Sequence, residues 1–225
     1  MPKAVIFDVD GTLVDSVDLH ARAWQDAFRD FGHEFDFQEI RSQIGKGGDQ
    51  LLPVFLAEGE VRKRGEALEE HRAQIFKERY LSQVTAFPGV RPLFERLLAD
   101  GKRIALASSA KGEELQYYKK TAQIDDLIDT ETSSDDAEKS KPHPDIFEAA
   151  LQRLGDIGAE RVVVIGDTPY DAEAASKAGL RTVGVLCGGW PEAELRRAGC
   201  IAVFKDPADL LAQYDRSPLA SRECE

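Results

Sequence analysis

The sequence predicts an α/β fold, a doubly wound and mainly parallel sheet with a helical cap inserted after its first strand. Three observations predict it. From Phe87-Pro88-Gly89-Val90 onward, short apolar runs alternate with helical stretches, the pattern of strands joined by crossover helices. The runs at 4–7, 103–107 and 162–165 each stop at acidic or hydroxyl-bearing residues. Between Ser16 and about residue 85 the periodicity is helical and no convincing strand appears.

The first strand is the run Ala4 to Phe7, which delivers Asp8 and Asp10 into a Gly11-Thr12 turn. Side chains two apart on a strand point to the same side, so both carboxyl groups enter one small volume at the strand's carboxyl end. Two carboxylates so placed repel unless a proton or a cation sits between them. Mg2+ suits such an oxygen-rich site, because it keeps several waters and a substrate phosphate in its shell. Gly11 permits the sharp turn, and Thr12 adds a hydroxyl and an amide beside the acids. Taken alone, the segment fits equally well a strand that simply ends in polar residues.

The helical stretch that follows runs through Phe31, then 37–44, then 51–56 and 61–81. The expected organisation is a core of residues 1–16 and 86–215, a cap of residues 17–85, and a flexible tail of residues 216–225. The loop Gly45-Lys46-Gly47-Gly48-Asp49 allows close backbone approach. There Lys46 either reaches a substrate carboxylate or second phosphate, or is a solvated charge in a helix connection. His20 and Trp24 share a helix face, where Trp24 reads as packing, while Arg72, Lys77 and Arg79 read as a solvated face.

The run 103–107 is followed by Ser108-Ser109, where a hydroxyl and the amides of the next helix can hold an anion or form an ordinary cap. A short strand is weakly signalled at 127–130. Lys141 lies in Lys139-Ser140-Lys141-Pro142-His143-Pro144, whose prolines restrict the backbone, so it is either a fixed cation or a surface charge. The run Val162 to Ile165 stops at Gly166-Asp167-Thr168-Pro169-Tyr170-Asp171. Ligands in open α/β sheets lie beyond the strands' carboxyl ends, so Asp167 and Asp8 can converge. Asp171 falls in the first turn of the next helix, where it stabilises the helix start or serves as an outer-shell group of a metal site. Further strands are expected near Val183 and at 201–204.

Together, Asp8-Val9-Asp10-Gly11-Thr12, Ser108, Lys141 and Gly166-Asp167-Thr168-Pro169-Tyr170-Asp171 resemble, in order, the four motifs of the haloacid dehalogenase superfamily. The resemblance covers nearly the whole chain and implies a Rossmannoid core of that family with a helical cap. It implies Asp8 as nucleophile, Asp10 as general acid and base, and Ser108 and Lys141 as holders of the phosphoryl oxygens. It places Mg2+ on Asp8, Asp167 and the Asp10 backbone carbonyl, with Asp171, Thr12, Ser109, Lys46 and His20 in supporting or substrate-facing positions. The role implied for His20 is to orient Asp10 or the hinge. The reaction expected is Mg-dependent hydrolysis of a small soluble phosphomonoester, phosphoglycolate-like or a sugar phosphate, through an aspartyl-phosphate.

Two alternatives stand beside that reaction. Residues 15–24 resemble the opening of a β-phosphoglucomutase, but that enzyme carries an acid at the place of Gly166, and the 45–49 loop lacks its serine-arginine pattern. A noncatalytic sensor that accepts phosphate on an aspartate also uses clustered acids, a hydroxyl and a lysine. Charge accounting adds one expectation: Asp8, Asp10, Asp167 and Asp171 would repel a phosphate dianion unless Asp10 is protonated when it arrives.

The net charge of -12 argues against nucleic-acid or anionic-membrane partners. No signal-like start and no stretch long enough to span a bilayer is present, so a cytoplasmic protein is expected. Cys187, Cys200 and Cys224 form no CxxC pair and suggest neither a disulfide framework nor a zinc site. The only expected partner is the small substrate, and monomer and homodimer remain equally open.

Overall fold

The structure, a computed structural model, describes residues 1–220. In chain order its strands are β1 (Ala4–Phe7), β2 (Val14–Asp15), β3 (Thr85–Ala86), β4 (Arg103–Ala107), β5 (Thr130–Thr132), β6 (Val162–Gly166), β7 (Arg181–Val185) and β8 (Ala202–Phe204). Six of them form a parallel sheet in the order β5-β4-β1-β6-β7-β8. β1 is flanked by β4 and β6, with Phe7 level with both Leu106 and Ile165. Strand order reverses there, which is where open α/β sheets build their sites.

Every residue of β1 and β6 is buried, as parallel strands covered on both faces must be. Alternate side chains divide between two cores. Val5, Phe7, Ile104, Leu106, Val163 and Ile165 pack on one face, and Ala4, Ile6, Ala105, Ala107, Val162 and Val164 on the other. Phe7 lies 4.6 Å from Phe94, ring to ring; truncating such a buried ring to Ala costs about 3–5 kcal/mol.

The insert contains α1 (Val17–Asp30), α2 (Phe37–Arg41), α3 (Gly48–Phe55) and α4 (Glu58–Ile75). α1 buries Val17, His20, Ala21, Trp24, Ala27 and Phe28, the three-and-four spacing of an amphipathic helix. The Asp36 carboxylate starts α2 by accepting from the amides of Gln38 and Glu39 at 2.7 and 3.2 Å. The remaining helices are α5 (Val90–Ala99), α6 (Gly112–Ala122), α7 (Asp145–Arg153), α8 (Pro169–Lys177), α9 (Glu192–Arg197) and α10 (Pro207–Ala212).

The structure departs from the sequence reading in four places. β2 and β3 pair antiparallel, Val14 with Ala86 and Asp15 with Thr85, where the chain passes between core and insert; two residues are too few to show a strand period. The helical stretch expected over 61–81 stops as α at Ile75, then continues as a π turn at Phe76–Tyr80 and a 3-10 turn at Leu81–Gln83. The strand expected at 127–130 lies at Thr130–Thr132, paired with Ala105 to Ala107. Residues 216–220, expected as part of a flexible tail, are packed: Leu219 is fully buried in the core, and its amide donates to Ser217 Oγ at 3.1 Å. The rest of that expected tail lies outside the described residues.

Candidate active site

The residues that follow β1, β4 and β6 emerge at one edge of the sheet because those strands end nearly level. Asp8 follows β1, Ser108 follows β4 and Asp167 follows β6, and all three are buried. Gly11 takes φ 78, a value that favours glycine, and its turn folds Thr12 back onto the acids. Thr12 Oγ1 lies 3.0 Å from both Asp8 Oδ2 and Asp167 Oδ1, so its one proton is shared between two carboxylates.

Lys141 is 1 % exposed. Its ammonium donates to Asp8 Oδ1 and lies 2.7 Å from Asp171 Oδ1. It is therefore the fixed cation of the two readings the sequence offered. Burial opposes its charge, but attraction to Asp171 and Asp8 outweighs that and raises its pKa. Asp171 stabilises the helix start, the first of its two expected roles. It closes a capping box with Thr168, whose hydroxyl donates to Asp171 Oδ2 at 2.7 Å, and its other oxygen faces Lys141.

Burial pushes the Asp8 carboxyl up to about 7, with Lys141 pulling the other way and Asp171 adding to the rise. Asp167 is raised well above the usual carboxylate range by burial and by the charges of Asp8 and Asp171. Carboxylate oxygens of Asp8, Asp167 and Asp171 all lie within 4.8 Å of one another. Asp167 Oδ2 is buried and accepts no hydrogen bond among the described residues. A β-carbon at Gly188 would collide with that carboxyl group, and one at Gly11 would lie 2.5 Å from Oδ2. An all-oxygen donor set, a surplus of negative charge and an unpartnered buried oxygen in a glycine cradle fit a hard divalent cation such as Mg2+.

The Asp10 side chain belongs to a second group. Its Oδ1 accepts from Ser16 Oγ at 2.6 Å and lies 2.9 Å from His20 Nε2. His20 Nε2 is also 3.1 Å from Tyr118 Oη, and the hydroxyl of Tyr118 donates to Glu114 Oε1 at 2.7 Å. The His20 ring stacks on Phe76 at 4.0 Å. Burial disfavours the Asp10 anion, but the charge and hydrogen bonds of His20, together with Ser16 and Tyr118, outweigh it and lower its pKa. These neighbours favour the Asp10 anion in the protein alone, whereas the expected proton on Asp10 belongs to the arrival of a phosphate dianion.

Ser108 Oγ accepts from the Ala110 amide at 3.0 Å, which leaves its own proton free to donate. α6 starts only at Gly112, so no helix begins directly at Ser108 as the sequence suggested. Ser109 lines the adjoining cavity, about 510 Å³, together with Asp8, Asp10 and His20. Lys46 lines it too, but its ammonium donates to Gln43 Oε1 at 2.5 Å and lies over the Tyr170 ring at 4.6 Å. Trp24 is buried under the Arg72 guanidinium at 5.0 Å.

Sequence reasoning missed Tyr118, Glu114, Ser16 and Gly188. None stands in a local motif: Tyr118 and Glu114 reach Asp10 and His20 only because α6 packs beside the first turn. The insert meets the core through the hydroxyl of Tyr170, which donates to Ser42 O at 2.8 Å, through Arg41 Nη2 to Gly188 O at 3.0 Å, and through the Ser140 amide to Asp49 Oδ2 at 3.2 Å. No helix among the described residues is long and apolar enough to cross a membrane.

Residues 5–185 match the sequence model of haloacid dehalogenase-like hydrolases. The chain is 28% identical over 213 residues to a phosphorylated carbohydrates phosphatase of Thermotoga maritima, covering 93% of this chain and 96% of that one. It is 31% identical over 186 residues to a phosphoglycolate phosphatase of Cereibacter sphaeroides, covering 79% and 82%. The crystal structure of a hydrolase from Pseudomonas syringae superposes with a TM-score of 0.86 at 33% identity, covering 97% of this chain and 99% of that one.

Proposed function

The chain belongs to the haloacid dehalogenase-like hydrolase family and is a phosphoric monoester hydrolase, and from that premise we propose that it cleaves a small soluble phosphomonoester through a phosphorylated Asp8, with Mg2+ as its metal. The observation that carries this reading is the placement of Asp8. Its two oxygens are held by Lys141 and Thr12 at the end of β1, beside Asp167 and facing the cavity.

In the first half-reaction Asp10 takes up a proton from solvent as the phosphate dianion arrives, an Asp8 oxygen attacks phosphorus, the bond from phosphorus to the substrate's alcohol oxygen breaks, and Asp10 gives that oxygen its proton. In the second, Asp10 takes a proton from water as the water oxygen attacks phosphorus, and the bond to Asp8 breaks to release phosphate. Asp10 must leave its contact with His20 to do either, so Ser16, His20 and Tyr118 act as positioning residues. Lys141 balances the charge of the transferring group, Ser108 donates to one of its oxygens, and Asp171 holds Lys141 in place. Mg2+ held by Asp8, Asp167 and the backbone carbonyl of Asp10 would neutralise charge on the phosphoryl oxygens.

We take residues 17–85 as the cap that closes over the site and excludes water. The mutase alternative is the weaker one, because a side chain at Gly166 would lie 2.6 Å from the Asp171 Cβ and Cγ. A sensor without turnover does not agree with a family of hydrolases.

The test is phosphate release from a panel of small phosphomonoesters, including phosphoglycolate and β-glucose 1-phosphate, with and without Mg2+. Metal-dependent release that Asp8→Asn abolishes supports the reading. Conversion of the sugar phosphate to its 6-isomer without release would favour the mutase.

A further inference from the structure

Two basic side chains of the insert line the cavity, Lys46 and Arg72. Lys46 is turned to Gln43 and to the Tyr170 ring. The sequence placed Arg72 on a solvated helix face, but it is partly buried, and its guanidinium lies over the buried Trp24 ring at 5.0 Å. No hydrogen bond or ion pair among the described residues engages it. Its Nε is buried, and among the described groups that line the cavity it is the one buried side-chain polar atom without a partner. A buried donor without an acceptor is unfavourable, and an acceptor brought to it recovers that loss.

Arg72 also stands in register with the reaction centre. His20 and Trp24 are four residues apart on α1, and Arg72 and Phe76 are four apart on the helical stretch that packs against it. His20 stacks on Phe76 at 4.0 Å, and Trp24 lies under Arg72. The two pairs are therefore successive rungs of one antiparallel helix pair, about 6 Å apart along the axis. The first rung reaches Asp10, with His20 Nε2 2.9 Å from Asp10 Oδ1. Arg72 lies one helical turn further into the insert, on the cavity that Asp8 and Asp10 also line. A phosphoryl group seated at Asp8 leaves the remainder of a short substrate to run toward it.

Acids on the same wall limit the charge that Arg72 can take. Glu66 and Glu70 are exposed and Glu69 is partly buried, and none of them holds a buried oxygen without a partner. Those carboxylates reach water, which screens them. They leave Arg72 unpaired, but they oppose a dianion more than a single charge. Stacking on the indole keeps the guanidinium charged and flat, and the edge formed by Nε and one terminal nitrogen matches both oxygens of a carboxylate. We propose that Arg72 is a specificity-determining residue that holds a carboxylate at the far end of the substrate, so that the site prefers phosphate esters of small hydroxy acids to their neutral counterparts. This rests on the phosphatase reading of the site and narrows it.

The test uses the full chain at saturating Mg2+ with p-nitrophenyl phosphate as reporter, and measures competitive inhibition by 3-phosphoglycerate and by glycerol 3-phosphate. These two differ only in a carboxylate against a hydroxymethyl group, and each competes whether or not it is turned over. 3-Phosphoglycerate is expected to compete about tenfold better, the factor that one charge-assisted contact supplies. Arg72→Gln should bring the two inhibition constants to within about twofold by weakening 3-phosphoglycerate. Arg72→Lys, which keeps the charge without the planar fork, should retain a ratio of about threefold. Arg62→Gln, on the same helix with a 73% exposed side chain, removes the same charge and should leave the ratio unchanged.

Equal or better competition by glycerol 3-phosphate in the parent protein overturns the proposal, as does competition by neither ester. A ratio that Arg72→Gln leaves unmoved overturns it too, including the case in which both esters weaken equally, because a purely structural role moves the two together. Competition by 1,3-propanediol bisphosphate that exceeds that of 3-phosphoglycerate by more than about twofold would assign the subsite to a phosphate and overturn the carboxylate. If p-nitrophenyl phosphate itself is not hydrolysed, the phosphatase reading fails and this proposal falls with it. Hydrolysis of the reporter with a flat ratio removes the role of Arg72 alone.

Discussion

The Lys141 ammonium lies 2.7 Å from Asp171 Oδ1, and both side chains are only 1 % exposed. Together with its contact to Asp8, this makes Lys141 the cation that two of the three clustered buried carboxylates share. Removing one partner of a buried ion pair leaves uncompensated charge and costs about 3–5 kcal/mol. Lys141→Ala should therefore lose both activity and stability. The deficit should also depend on pH. Without the cation, the carboxyls must be neutralised to stay buried, so the variant should approach the parent as pH falls and diverge from it as pH rises. Urea unfolding of both proteins without metal at pH 5 and pH 8 measures this.

A second prediction concerns the metal-free parent. Asp8 is raised from 3.8 to about 7, and Asp167 is raised as well. Between those values the folded protein holds a proton on Asp8 that the unfolded chain has released. Stability from this group is therefore full below about pH 4 and is lost as pH rises toward about 7. Mg2+ favours the deprotonated carboxylates, so adding it should flatten the decline. Thermal unfolding across this range, with Mg2+ and with a chelator, should show the two curves separating as pH increases. Curves that stay parallel would mean that the metal does not bind at these acids.

The segments at Asp8, Ser108 and Asp167 were legible because each is a local pattern: a buried apolar run that stops at a reactive side chain. Asp8 and Asp167 meet because parallel strands that end level bring their next residues together, while Lys141 reaches them from the turn between β5 and α7. What was not legible depends on tertiary placement. Tyr118 and Glu114 reach His20 across 98 and 94 positions of chain, and nothing in the local sequence marks them. β2 and β3 are too short to show a period. Leu219 joins the core although its neighbours read as a polar tail. Lys46 has the composition of an anion contact, but the Tyr170 ring and Gln43 hold its ammonium.

Asp10 is held by Ser16 and His20 rather than aimed at the Asp8 cluster. If it serves both proton transfers, Asp10→Asn should slow the second step more than the first whenever the leaving group needs no proton. With a good leaving group, the variant should accumulate phosphorylated Asp8 and show a burst of one equivalent followed by slow turnover. Rapid-quench measurement with p-nitrophenyl phosphate checks it. Fast decay of the intermediate in the variant would remove Asp10 from the role of base.

Gly188 offers a test of the Asp167 cradle that leaves every acidic residue in place. A β-carbon there would collide with the Asp167 carboxyl group, and the backbone carbonyl of Gly188 also accepts from Arg41 Nη2 at 3.0 Å. In Gly188→Ala, Asp167 must turn away from Thr12 or the 186–189 turn must shift outward. Either movement misplaces the unpartnered oxygen, and loss of such support typically weakens metal binding about 10–100-fold. The variant should need correspondingly more Mg2+ for half-maximal phosphate release and gain less thermal stability from a fixed Mg2+ concentration. Its metal-free unfolding should change little, because relieving the crowding of three buried carboxylates offsets the displaced turn. An unchanged Mg2+ requirement would show that Asp167 does not hold the metal from this cradle.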